Sequence, residues 1–478
     1  MAYPPSDERR PVSHEAGRLS LTERDLIRIV HDPGFPRWLE QMKSIGGCAH
    51  PIYLSGHTTT RDAATGEILT HYDTREEPGE RLAVRCRNRR ETRCLPCSRL
   101  HSGDTYHLVR SGLLGGKGIG PQVRHHPRVF VTLTAPSWGP VHRLSAPGGP
   151  ACRPRRGGPI CDHGRPMGCP RHHEEKDPHL GQPLCAACYD YTGHVLWNAE
   201  AGLLWTRFCH TLRREIASAA EIVQSRIGEH LRVSFAKVAE YQLRGAIHFH
   251  AVIRIDGPDG PSSAPPLWAT PEMLTASVRT AAGRVAVRTP YSLATGEREM
   301  RWGKQLDVHS IRSDAFTGMV ITDSAVAAYV AKYVAKSVGD SGGVDSRMES
   351  ADEIRFASVN PHVRTIMMQC WRLGGLTDLE SLNLRSWAHT LGFRGHVLTK
   401  SRAYSTTYGA LRKVRENYLT GPRPAEKGRR TETESEWRYV GAGHSLAQAE
   451  IARGIAEDLA ERKRLGREIK EEGWEILK

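Results

Sequence analysis

The chain has 478 residues, 39% of them hydrophobic and 25% charged, which excludes a disordered protein and is long enough for two or three cores. Lys and Arg number 67 against 53 Asp and Glu, a formal net charge of +14 that favours a polyanionic partner, nucleic acid before a membrane surface. The N-terminus "MAYPPSDERRPVSHE" has no apolar signal region and no run approaches the roughly eighteen apolar residues of a spanning helix, so no membrane partner and a cytoplasmic location are expected. Eleven cysteines in a reducing compartment hold metal more often than disulfides.

Residues 1–45 are polar and Pro-rich with one helical pattern, "LTERDLIRIV", and read as an N-terminal arm. Residues 46–125 form a zinc-binding Cys/Arg-rich region. In it Cys86, Cys94 and Cys97 supply three thiolates, and Cys48, favoured over His101, completes a tetrahedral Zn2+ site. The arginines between them, Arg85, Arg87, Arg89, Arg90 and Arg93, are either presented to DNA phosphates, with Arg87, Arg89 and Arg90 the best placed, or are a solvated charge run. Residues 126–340 read as an α+β core that opens on the buried strand "RVFVTLT". An insertion at 145–190 has too little aliphatic content for a core of its own and needs an ordering agent. It holds Cys152, Cys161, His163, Cys169, His172, His173, Cys185 and Cys188, enough for one structural zinc site with spares or for two, with Cys185 and Cys188 the firmest pair.

A long helix from "YDYTGHVLW" precedes two strands, "LRVSFAKVAEY" and "AIHFHAVIRID", and "GPDGPSSAPP" opens a second insertion at 257–304. The short strand "QLDVHSI" follows, then a helix capped by Thr322 or Asp323. Residues 341–478 read as a helical C-terminal region, with a charged loop at 420–436 and a charged helix from Ser445. Cys209 and Cys370 fall in helical patterns and are expected in the core.

The stretch "EYQLRGAIHFHAVIRID" places His248 and His250 on one face of a strand, while Ile247, Phe249, Ala251 and Ile253 point into a core. Among 24 histidines about one such spacing arises by chance, so the surroundings carry the argument. A three-residue loop with Gly245 in the left-handed position puts Glu240 opposite His248, with Cβ atoms about 5 Å apart. Two imidazoles and a carboxylate suit a divalent cation, Mg2+ or Mn2+ for a phosphodiester substrate; the alternative is a polar sheet face that merely meets solvent.

In "AAYVAKYVAK", Tyr329, Lys332, Tyr333 and Lys336 share one helical stripe, and Ala327, Val330, Ala331, Val334 and Val338 the opposite one. A phenol with a pKa near 10 is a poor nucleophile unless cations and a polarised phosphate assist it. The stripe also fits an ordinary amphipathic helix with snorkelling lysines.

In chain order, "VFVTLT", "HFHAV" with Glu240 before it, and "YVAKYVAK" resemble the three motifs of HUH endonucleases of the rolling-circle initiator type, and the doubled Tyr-x-x-Lys resembles their two-tyrosine class. "CRNRR", "CLPCS", "GLLGGKG", "PLCAACYDY" and "RGAIHFH" resemble replication initiators of actinobacterial plasmids and integrative elements, over roughly residues 45–410. The resemblance implies an HUH core, an antiparallel sheet flanked by helices, with zinc-binding insertions. It implies His248, His250 and Glu240 as metal ligands, Tyr329 and Tyr333 as nucleophiles, and Lys332 and Lys336 at the phosphate. A tyrosine would keep the 5′ end as a phosphotyrosine, the freed 3′-OH would prime a polymerase, and the second tyrosine, one helical turn on, would accept the strand when the fork returns. Beyond a weak helix-dipole advantage for Tyr329, the sequence does not rank the two.

The implied partners are origin DNA, single-stranded or as supercoiled duplex, with a host helicase and polymerase, because no G-x-x-x-x-G-K-[ST] is present. A zinc-dependent DNA-binding regulator and an HUH-type transposase are the competing readings.

Overall fold

The computed structural model describes residues 20–146, 148–154, 159–311, 322–335, 343–420 and 430–475. They form two compact units, one of residues 20–88, 93–97 and 430–475, the other of 89–92 and the described residues from 98 to 420. The segment 46–125 is thus divided between units, and the end of the chain joins the first.

The first unit begins with α1 (Leu21–Val30), whose start is a capping box: the Ser20 hydroxyl accepts from the Glu23 N–H and the Glu23 carboxylate from the Ser20 N–H. It continues through α2 (Phe35–Ser44), β1 (Ile52–Asp62), β2 (Ile68–Asp73) and β3 (Leu82–Val84). The second unit carries α3 (Leu95–Leu114, after its first turn), β4 (Arg128–Leu133), α4 (Tyr191–Ala219), β5 (Arg232–Tyr241), β6 (Ile247–Asp256), α5 (Pro271–Arg284), β7 (Val287–Arg288), β8 (Glu299–Met300), β9 (Leu306–Ser310), α6 (Asp323–Ala335), α7 (Ala351–Phe356), α8 (Pro361–Leu373), β10 (Leu398–Lys400) and α9 (Tyr408–Thr420). The chain then returns to the first unit as β11 (Thr431–Ala442) and α10 (Leu446–Glu475).

In the first unit β11, β1 and β2 form an antiparallel sheet, and β3 pairs the start of β1. β11 runs along all of β1, from Ile52 opposite Ala442 to Asp62 opposite Thr431. Residues 431–436, expected within a charged loop at 420–436, are thus strand, while 421–429 of that loop lie outside the described residues. β11 is solvent-exposed along nearly its whole length, so it lacks the apolar alternation by which a strand is read. The core here is small: Trp38, Met42, Ile45, Tyr53 and Ala83 around buried Cys48, Cys94 and Cys97, with Ile451 and Ile455 of α10 against it.

The second unit is a mixed α and β structure on an antiparallel sheet of order β10-β5-β6-β4-β9. Alternate residues of β4 and β6, including Val129, Val131, Phe249, Ala251 and Ile253, pack with α4, α5 and α8 into one large apolar cluster. The opposite face, Phe130, Ala236, Val238 and Val252, packs with Leu108 and Leu113 of α3 and with Val326, Ala327, Val330 and Val334 of α6. The face that alternation leaves polar is therefore largely covered by helices, where the sequence suggests an exposed one. Among the described residues no helix is long and apolar enough to cross a membrane.

Candidate metal centre, tyrosine helix and cysteine clusters

The β5–β6 hairpin turns through Leu243, Arg244 and Gly245, closed by the Gln242 N–H donating to the Ala246 carbonyl at 2.8 Å. Gly245 has φ +81°, and a Cβ there would lie 2.7 Å from Leu391, so both backbone and space require glycine. The resulting register sets Glu240 opposite His248, as the loop type predicts. One Glu240 oxygen lies 3.0 Å from His248 Nε2 and 3.1 Å from His250 Nε2, and the two Nε2 atoms are 3.1 Å apart.

His250 is buried, with Phe130 stacked parallel to it at 5.8 Å and the Thr132 hydroxyl 3.0 Å from its Nδ1. That contact leaves Nε2 directed at Glu240 and His248, the arrangement a histidine ligand requires of its second nitrogen. Burial pushes the Glu240 carboxyl up, but hydrogen bonds to both histidines outweigh this and hold it at about 2. Burial lowers His250. The group is therefore a carboxylate beside two imidazoles, of which the buried His250 resists carrying charge, and so suited to share a cation.

α6 begins at Thr322, whose hydroxyl accepts from the Ala325 N–H at 3.2 Å. Its buried Val and Ala stripe is the expected one as far as Val334; Val338 and Lys336 lie outside the described residues. Tyr329 is half-buried, its hydroxyl 3.1 Å from His250 Nε2 and its ring edge-on to Phe130 and His250. Lys332 is exposed, and Tyr333 lies in α6 one turn after Tyr329.

Arg87 is exposed, whereas Arg89 donates to the Val334 carbonyl at 3.1 Å. Arg90 bonds the Asp345 carbonyl at 2.7 Å and its carboxylate at 3.3 Å. Arg89 and Arg90 are thus engaged by the protein itself, partners too distant in sequence to be foreseen.

Cys48, Cys86, Cys94 and Cys97 converge, with Cys48 Sγ 3.8 Å from Cys94 Sγ and 3.6 Å from Cys97 Sγ. Tetrahedral zinc with bonds of about 2.3 Å needs sulfurs about 3.8 Å apart. Backbone N–H groups of Ala49, Cys86 and Asn88 donate to three of the sulfurs. His101 instead stacks on Tyr408.

The cysteines of the 145–190 insertion resolve into two sets, His142, Cys152, Cys169 and His173, and Cys161, His163, Cys185 and Cys188. His142 lies just before the insertion and was not foreseen; its signal is only a histidine in the Pro-rich "GPVHRL". His172 belongs to neither set. His173 Nε2 lies 3.0 Å from His142 Nδ1 and 3.4 Å from Cys169 Sγ, while its Nδ1 is 2.6 Å from an Asp177 oxygen. A carboxylate behind a histidine is the support that metal-ligating imidazoles use. These Cys/His clusters can bind a metal such as zinc.

Residues 34–457 match the family described as RepSA, replication initiator protein, pSAM2. A replication initiator protein from Streptomyces ambofaciens is 43% identical over 454 residues, covering 93% of this chain and 95% of that protein. No solved structure matches. The chain belongs to the RepSA family of replication initiator proteins.

Proposed function

We propose that this protein starts rolling-circle replication of a plasmid or integrative element as an HUH-type enzyme, nicking and rejoining one DNA strand at an origin through a phosphotyrosine. The observation that carries this reading is the Tyr329 hydroxyl 3.1 Å from His250 Nε2, beside the Glu240, His248 and His250 triad. The triad's donor atoms are 3.0 to 3.1 Å apart. Two imidazole nitrogens and a carboxylate oxygen are a donor set that would hold Mg2+ or Mn2+ when the substrate is a phosphodiester. Such a cation, held by these three side chains, supplies positive charge that makes the scissile phosphorus more electrophilic.

Tyr329 attacks phosphorus, forming the Tyr–O–P bond and breaking the bond to the 3′ oxygen. The phenol gives up its proton and the 3′ oxygen takes one, so atoms and charge balance and the 3′-OH can prime a host polymerase. Thr132 holds the His250 ring, and the exposed Lys332 is placed to neutralise phosphate, with Lys336 proposed for the same role. Tyr333 is the second acceptor, used when the fork returns. Zinc at the three Cys/His clusters is structural, a host helicase opens the duplex, and Arg87 contacts DNA phosphates.

Incubating the protein with a single-stranded origin oligonucleotide and Mn2+, followed by denaturing electrophoresis, should give a covalent adduct. The double substitution His248→Ala and His250→Ala should remove it while leaving zinc content and duplex binding unchanged. Wild-type nicking by that double variant would refute the assignment, and a mobility shift without an adduct would identify a regulator.

A further inference from the structure

The face by which α6 sits on the sheet does not by itself specify where the helix sits. Val326-Ala327, Val330-Ala331 and Val334-Ala335 recur every four residues, and Tyr329 and Tyr333 recur with them, each followed by Val-Ala-Lys. Sliding α6 by four residues moves it about 6 Å along its axis and turns it about 40°. It then offers the same kinds of side chain to Phe130, Ala236, Val238 and Val252 and brings Tyr333 to the position of Tyr329.

Two described backbone contacts are equally blind to such a slide. Arg89 holds the Val334 carbonyl and Ser102 the Ala331 carbonyl, at 3.1 and 3.0 Å, and a bond to a backbone carbonyl does not depend on which side chain that residue carries. Thr322 fixes where the helix starts in the sequence, not where it lies on the sheet.

One described contact does discriminate. Arg128 of β4 is buried and pinned by its Nη1 to the carbonyls of Leu113, Val123 and Arg124 at 3.0, 3.1 and 2.6 Å. Its Nη2 lies 3.0 Å from an oxygen of Asp323, the first residue of α6, itself 5% exposed. No acidic residue follows at 327 or 331. A buried ion pair adds little net stability but strongly penalises arrangements that leave one charge alone, so its best-attested use is to set register.

We propose that the Arg128–Asp323 pair is a register lock that keeps Tyr329, rather than Tyr333, at the Glu240, His248 and His250 centre, and that a one-turn slide of α6 exchanges the two tyrosines. The inference rests on the nucleophile assignment above. Both residues are buried and act as positioning residues. One-turn displacements of packed helices are an established type of conformational transition.

The test is peptide mapping of the adduct formed on an oligonucleotide whose released upstream fragment, the one that carries the 3′-OH, is lost, so that rejoining is blocked. In the wild type the DNA should be found mainly on Tyr329. In Asp323→Asn the ratio of Tyr333 to Tyr329 adduct should rise by about tenfold or more, the effect of removing a preference of about 1.4 kcal/mol. Asp323→Glu, which keeps the charge, should restore Tyr329. Arg128→Gln removes the pair from the sheet side and should shift the ratio the same way, which keeps the test open if one variant does not fold. An unchanged ratio alongside slower nicking would overturn the lock and leave a purely structural ion pair. No adduct in the wild type would instead sink the nucleophile assignment.

Discussion

In the first unit the cysteine cluster lies within the core, where Cys48, Cys94 and Cys97 cluster, among the described residues, with five other buried apolar residues, Trp38, Met42, Ile45, Tyr53 and Ala83. In the second unit apolar side chains fill both faces of the sheet, and neither of the two Cys/His sets joins those clusters. A core as small as the first offsets little of the entropy lost on folding, a shortfall that metal bonds at the proposed zinc site would make up. The second unit buries apolar residues on both faces of its sheet, so the sheet is expected to hold when metal is removed.

The largest expected effect breaks the first unit alone. Cys94→Ser, or strong chelation, should unfold it, because structural zinc contributes apparent free energies on the order of 10 kcal/mol or more. Hydrogen exchange should lose protection across α2, β1 and β11, and chelation should also open the insertion while β4, β5 and β6 stay protected. Equal loss in the sheet would erase the distinction between the units. Elemental analysis should find three zinc ions per chain, and fewer than one would refute structural zinc altogether.

The next effect sharpens the contrast from the side of the second unit, whose apolar packing surrounds the amine of Lys237. Lys237 is 4% exposed, with Nζ 4.0 Å from the centre of the Phe249 ring, and burial lowers its pKa from 10.5 to about 8. Below about pH 8 the amine is charged in both folded and unfolded chains, so the full cost of burying that charge is present. Between about 8 and 10.5 the folded form has released a proton that the unfolded chain keeps, so stability rises with pH. Lys237→Met should therefore stabilise this unit by about 3 kcal/mol at neutral pH and abolish the alkaline gain. Denaturant titrations at pH 7 and pH 10 measure both; a destabilised variant would show that Lys237 has a favourable role.

The smallest effect concerns the insertion. Asp177→Asn should weaken zinc binding at the His142, Cys152, Cys169 and His173 set by roughly 10- to 100-fold, the usual cost of losing a carboxylate behind a histidine ligand. Competition with a chromophoric chelator measures it, and the sheet's stability should not move. An unaltered zinc affinity would remove Asp177 from the site.

The sequence by itself determined what depends on near neighbours. Strand alternation and the Gly245 loop put Glu240, His248 and His250 together, and a 3.6-residue period drew the two stripes of α6. The short spacing from Cys86 to Cys97 marked one cluster, to which Cys48 was added by chemistry. Only the tertiary structure decided the rest. It added His142 and divided the insertion's ligands into two sets, and it paired β11 with β1. It turned Arg89 and Arg90 toward Val334 and Asp345, and it set Tyr329 against His250. These are contacts between residues far apart in the chain, fixed by how elements pack, and such contacts leave no period in the sequence. The YVAK repeat makes the limit plain: its two tyrosines are locally equivalent, and the proposed difference between them lies in Asp323 meeting Arg128, 195 residues away.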